Sequence, residues 1–199
     1  MSQFSEDGQW WWNGERWIAT AAIVLPDLPM TEFERSGRLR GARSRMRLRE
    51  LLLLGSMWGS LAVPYLFVRT RAFREYRLWT LEQLALTAEY LLGPGDPVLA
   101  GETTMSSISW QGTATRDLAV VVTAAHVLVV RIDFLDGQPR WVVLAARPHD
   151  VAIELRGGPT LLVSSGAAQW EIRGDPRVFQ PDPVLAAWHQ TAGSVSNPA

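Results

Sequence analysis

Residues 51–68 read LLLLGSMWGSLAVPYLFV, eighteen consecutive positions without a charge. Water cannot satisfy such a run, so it belongs in lipid, in a protein core or against a partner. About 20 apolar residues cross a ~30 Å bilayer core, which puts this run at the lower edge of spanning length. Guanidinium groups bracket it: Arg43, Arg45, Arg47 and Arg49 precede it, and Arg69, Arg71, Arg74 and Arg77 follow. A single crossing gathers basic residues on its cytoplasmic side only, so two basic flanks do not suit one. The expectation is a membrane-inserted segment, kinked at Pro64 or re-entrant, with both flanks on the cytoplasmic face of the inner membrane. A buried helix in a water-soluble core is the alternative. Gly55 and Gly59 stand in G-x-x-x-G spacing, which lets helix backbones approach closely and admits a homo-oligomer.

The charge distribution points to the same region. Residues 1–34 carry six acids against one arginine, residues 35–77 eleven arginines against two glutamates, and residues 78–199 seven arginines against twelve acids. The net charge of −1 therefore hides a basic middle between acidic ends. That block suits anionic lipid headgroups, at about 1 kcal/mol for each basic residue near the surface. Nucleic-acid phosphate is the less favoured ligand of the same arginines. The chain has no cysteine, which excludes disulfides, thiolate catalysis and cysteine-ligated zinc. The first 30 or so residues are acidic and Trp-rich, unlike a secretory leader.

Residues 6–18 read as a β-hairpin. Trp10, Trp11 and Trp12 form one strand, Asn13-Gly14 a type I′ turn, and Arg16-Trp17-Ile18 the return. The indoles suit self-packing, an interfacial anchor, or capture of a sugar or proline-rich peptide. Residues 19–34 read as a linker, broken by Pro26 and Pro29. Thr31 suits a helix N-cap, and residues 35–92 read as arginine-rich and apolar helical segments. Within them, residues 72–92 form an amphipathic helix stopped by Gly93-Pro94-Gly95.

From residue 98 onward the texture is short strands with turn signals, expected near 98–105, 107–111, 117–123, 126–133, 140–145, 150–156, 159–164 and 168–173. Residues 118–122 and 127–130 are continuously apolar, as in strands covered on both faces. A last amphipathic helix starts at Asp182-Pro183, and residues 193–199 read as a disordered tail.

This order of strands and closing helix, carried by Val120–Val130 and by Trp141–Leu144 leading to Val151–Leu155, resembles a bacterial pleckstrin-homology-like (GRAM-like) domain spanning 96–192. The resemblance implies an α+β chain: a Trp hairpin over 1–18, central helices including one of membrane type, and a seven- to eight-stranded antiparallel barrel closed by a C-terminal helix. Trp11, Trp12, Asn13, Gly14 and Trp17 are similar to a W-W-D/N-G-x-x-W hairpin of uncharacterised actinobacterial membrane proteins. Family members that bind phosphoinositides carry basic residues on their first strands, whereas residues 98–116 hold only Arg116.

His126, His149 and His189 lack metal-site spacing, and no nucleophile or phosphate-loop motif is present. The expected function is a non-catalytic, membrane-associated scaffold without a cofactor or metal, acting on anionic headgroups and on a protein partner. The alternative is a soluble module that binds nucleic acid or protein through residues 35–77.

Overall fold

A strand points alternate side chains to opposite faces, so a run with no polar alternation needs cover on both. Leu118–Val122 and Val127–Val130 are such runs, and they form the centre of the molecule. The computed structural model describes residues 4–5, 7–36, 62–103, 117–132, 138–174 and 179–193. Along the chain these form β1 (Trp10–Trp12), β2 (Trp17–Ala19), a one-turn α1 (Glu32–Arg35) and α2 (Ala62–Leu92). There follow β3 (Val98–Thr103), β4 (Asp117–Thr123), β5 (Val127–Ile132), β6 (Pro139–Ala146), β7 (Ala152–Arg156), β8 (Thr160–Ser165), β9 (Ala168–Arg173) and α3 (Asp182–Gly193).

β3-β4-β5-β6 is one antiparallel sheet, β7-β8-β9 a second, and β1-β2 a separate ribbon. β4 and β5 pair with Val120 opposite Val129 and Val121 opposite Leu128. On one face of this sheet Val121, Leu128, Val130 and Val142 cluster with Leu84, Ala88 and Leu91 of α2. On the other, Val120, Val122, Val127 and Val129 cluster with Ile153, Leu161, Val163 and Ile172 of the second sheet and with Val184 and Ala187 of α3. Each buried Val, Leu or Ile among them contributes about 1.5–3 kcal/mol by leaving water. The central sheet is thus the filling of a three-layer arrangement, which is why its two middle strands carry no polar face.

The expected barrel is corrected: the three sheets are open, and no closed barrel forms among the described residues. Two local causes keep them apart. β6 is irregular, with register shifts against β5, and the chain then turns through Pro148–Asp150 before β7 starts in the other sheet. The free edge of β6 is also partly occupied by the N-terminal segment. Val24 bridges Trp141, Leu25 N–H donates to Arg140 O at 2.8 Å, and Ile23 and Leu25 enter the first core cluster. The expected strand at 107–111 lies outside the described residues.

The membrane assignment is corrected as well. No helix among the described residues is long and apolar enough to cross a membrane. Residues 62–68 open α2, which continues without a break through Arg69, Arg71, Arg74, Glu75 and Arg77, so charge follows the apolar run on the same helix. Farther along, Trp79, Leu84, Ala88 and Leu91 are buried against protein. Residues 51–61 lie outside the described residues. α2 ends at Gly93, whose φ of 78° continues no helix and whose N–H donates to Glu89 O at 2.8 Å.

Candidate functional site

The N-terminal ribbon is held from below. In a two-stranded ribbon, pairs Trp10↔Ala19 and Trp12↔Trp17 share one face and Trp11↔Ile18 the other. The second face is docked: Trp11 is buried, Ile18 packs on the first core cluster, and Trp11 Nε1–H donates to Leu91 O at 3.1 Å. Leu91 O belongs to the last turn of α2, whose carbonyls have no partner within the helix. A bulky ring and a satisfied helix end therefore come from one residue. Gly8 locks the entry. Its φ is 66°, and a Cβ there would stand 1.8 Å from Ala145 O of β6, so only glycine admits this approach. Thr20 Oγ1–H donates to Gly8 O at 2.6 Å, and Asp7 Oδ1 accepts from Gln9 N–H at 3.0 Å.

The turn differs from the expected two-residue type I′. Gly14 has a φ of 102°, but Asn13 does not take positive φ. Asn13 acts through its side chain, Oδ1 accepting from Glu15 N–H at 2.9 Å and Arg16 N–H at 2.8 Å. The loop is consequently four residues long, and Arg16 lies in it rather than in β2.

With its underside fixed, the ribbon presents three indoles outward. Trp10, Trp12 and Trp17 are 48%, 38% and 51% exposed. Trp12 and Trp17 face each other across the strands with ring centroids 5.6 Å apart and planes inclined by 57°. The fourth residue of this face is Ala19, so it carries no hydroxyl, amide or carboxylate side chain.

The arginines are distributed differently. Arg77 is committed to Glu102: Nε–H donates to Oε1 at 3.0 Å and Nη2–H to Oε2 at 2.7 Å. Glu102 is fully buried and also accepts from Gln180 N–H at 2.9 Å. That carboxylate ties α2, β3 and the approach to α3 together. Arg74 is exposed on α2, and Arg69 and Arg71 lie on the same helix. Arg43, Arg45, Arg47, Arg49, Gly55 and Gly59 lie outside the described residues.

A second polar cluster joins the α2–β3 connection to the β4–β5 turn. Asp96 Oδ2 accepts from His126 Nδ1–H at 2.7 Å and Thr123 Oγ1–H at 2.8 Å, and Oδ1 accepts from Ala125 N–H at 2.9 Å. Burial pushes the Asp96 carboxyl up, but the bonds from His126, Thr123 and Ala125 outweigh it and hold the pKa below the ordinary carboxylate value. His149 is an exposed neighbour of Asp150, and the His189 ring lies 4.7 Å from that of Trp188, tilted by 46°. No group of three or more metal-ligating side chains occurs among the described residues.

Neither polar cluster was singled out from the sequence. Glu102 falls where an outward residue of an alternating strand is expected, and Asp96 in what reads as a turn. The one available signal was an acid inside a strand otherwise made of small and apolar residues. Comparison with family models, curated proteins and solved structures finds no match to the chain.

Proposed function

We propose that this protein is a non-catalytic interaction module whose outward Trp face captures a proline-rich segment of a partner protein. The observation that carries the reading is the asymmetry of the ribbon. Trp11 is spent on docking, while Trp10, Trp12 and Trp17 stand exposed on one rigidly backed face. The ribbon backbone that carries the three indoles is already fixed by Trp11 and Gly8, so binding need not order it.

The chemistry of the face selects the ligand class. Sugars need side chains that hydrogen-bond their hydroxyls, and this face has none beyond the indole N–H groups. Prolyl rings offer flat apolar surfaces to indole faces, and a polyproline II backbone leaves its carbonyls free to accept from those N–H groups.

The test is titration of the full chain with a synthetic oligoproline flanked by arginines, followed by Trp fluorescence. The reading expects saturable binding with a Kd on the order of 10–100 μM. The Trp12→Ala, Trp17→Ala double variant should weaken it by about tenfold or more. Absence of any change at millimolar peptide, or equal affinity in the double variant, refutes it.

A further inference from the structure

The second sheet ends in an edge strand. β7 pairs only with β8, and no other strand among the described residues pairs with its second edge. The strand is Ala152-Ile153-Glu154-Leu155-Arg156, with Leu155 51% exposed and Glu154 and Arg156 both exposed. No salt bridge engages Glu154 or Arg156 among the described residues. Open edges of this kind are templates for another strand, and proteins usually blunt them with lysine, proline or a covering element. Here the cover is partial. Trp188 Nε1–H of α3 donates to Pro148 O and Val151 O, each at 3.0 Å, which closes the edge only up to Val151. Val151 O is turned to Trp188, so by alternation Ile153 and Leu155 present their N–H and C=O groups on that same open side.

We infer that β7 is a self-association edge, pairing antiparallel with β7 of a second copy about a two-fold axis at Leu155. The charges choose the register. Two-fold pairing centred on Glu154 sets Glu154 against its own copy, and centring on Arg156 sets arginine against arginine; both are unfavourable. Centring on Ile153 requires the stretch that Trp188 already covers. Centring on Leu155 sets Leu155 against the partner's Leu155 and Glu154 against the partner's Arg156, twice by symmetry. The exposed apolar side chain is then covered on one face, and both exposed charges find opposite partners on the other. The flanking position meets no obstruction, since Gly157 has nothing within 4 Å of where a Cβ would stand. The result is a continuous six-stranded sheet across the two copies.

Sedimentation of the full chain across a concentration series up to about 1 mM tests the inference. The wild type is expected to self-associate. Glu154→Arg and Arg156→Glu each place like charges opposite twice, and each should weaken association by about tenfold or more. Both positions are exposed, so circular dichroism should show unchanged folds. An equimolar mixture of the two variants restores opposite charges at both pairs and should recover the dimer. A wild type that stays monomeric, variants that associate as it does, or a mixture that fails to recover the dimer would each overturn the inference.

Discussion

Replacing Glu102 by alanine removes one carboxylate and strands three donor groups. In the native protein its oxygens accept from Arg77 Nε–H and Nη2–H, from Gln180 N–H and from Thr103 N–H at 3.0 Å. The Arg77 side chain is only 11% exposed. Removing one member of a buried ion pair leaves the other charge uncompensated, which costs about 3–5 kcal/mol. The two backbone N–H groups add about 1–3 kcal/mol each where water does not reach them. A destabilisation of at least about 3–5 kcal/mol, the ion-pair term alone, is therefore expected, a large share of the ~5–15 kcal/mol that holds a domain together. Replacing Arg77 and Glu102 together by methionine removes both charges and keeps apolar volume, so the ion-pair cost should disappear while that of the Gln180 and Thr103 N–H groups stays, leaving the double variant more stable than Glu102→Ala. Urea unfolding followed by Trp fluorescence measures both. A Glu102→Ala cost under about 1 kcal/mol, or a double variant as unstable as the single, would refute the assignment of this pair as the junction of α2, β3 and α3.

Two further outcomes follow from the same structure. Trp11→Phe keeps most of the ring but leaves Leu91 O without its donor, so urea unfolding should show a loss of about 1–3 kcal/mol, whereas Trp17→Ala should lose only its pairing with Trp12, about 0.5–1 kcal/mol. Asp96 has a folded-state pKa lowered from 3.8, so its contribution is complete above that value and is lost as pH falls through the lower folded pKa. Stability measured from pH 6 down to about 2 should therefore fall less steeply in Asp96→Asn than in the wild type.

What was legible in the sequence was local. β4 and β5 were readable because Leu118–Val122 and Val127–Val130 break alternation, and a strand covered on both faces has no other way to look. The end of α2 was readable because Gly93-Pro94-Gly95 offers neither a helical φ nor an N–H at the next position. The hairpin was visible in Asn13-Gly14, although the side-chain bonds of Asn13 lengthened its loop. What could not be read was how the sheets close and what covers them. That is decided by contacts between distant segments, such as Val24 and Leu25 on β6 and Gly8 against Ala145. Residues 62–68 misled because an uncharged run has the same appearance whether lipid or a longer helix receives it. Trp11 is the matching case at the candidate site. Its indole is indistinguishable in sequence from its neighbours, and only pairing with Ile18 sends it inward while Trp10 and Trp12 go out.

Side-chain indole NMR, with each Trp assigned by substitution, tests the division of labour within the ribbon most directly. On adding arginine-flanked oligoproline, the Nε1–H resonances of Trp10, Trp12 and Trp17 should shift together, while that of Trp11, bonded to Leu91 O, stays in place. A spectrum in which the outer three stay fixed, or in which Trp11 moves with them, would contradict the account.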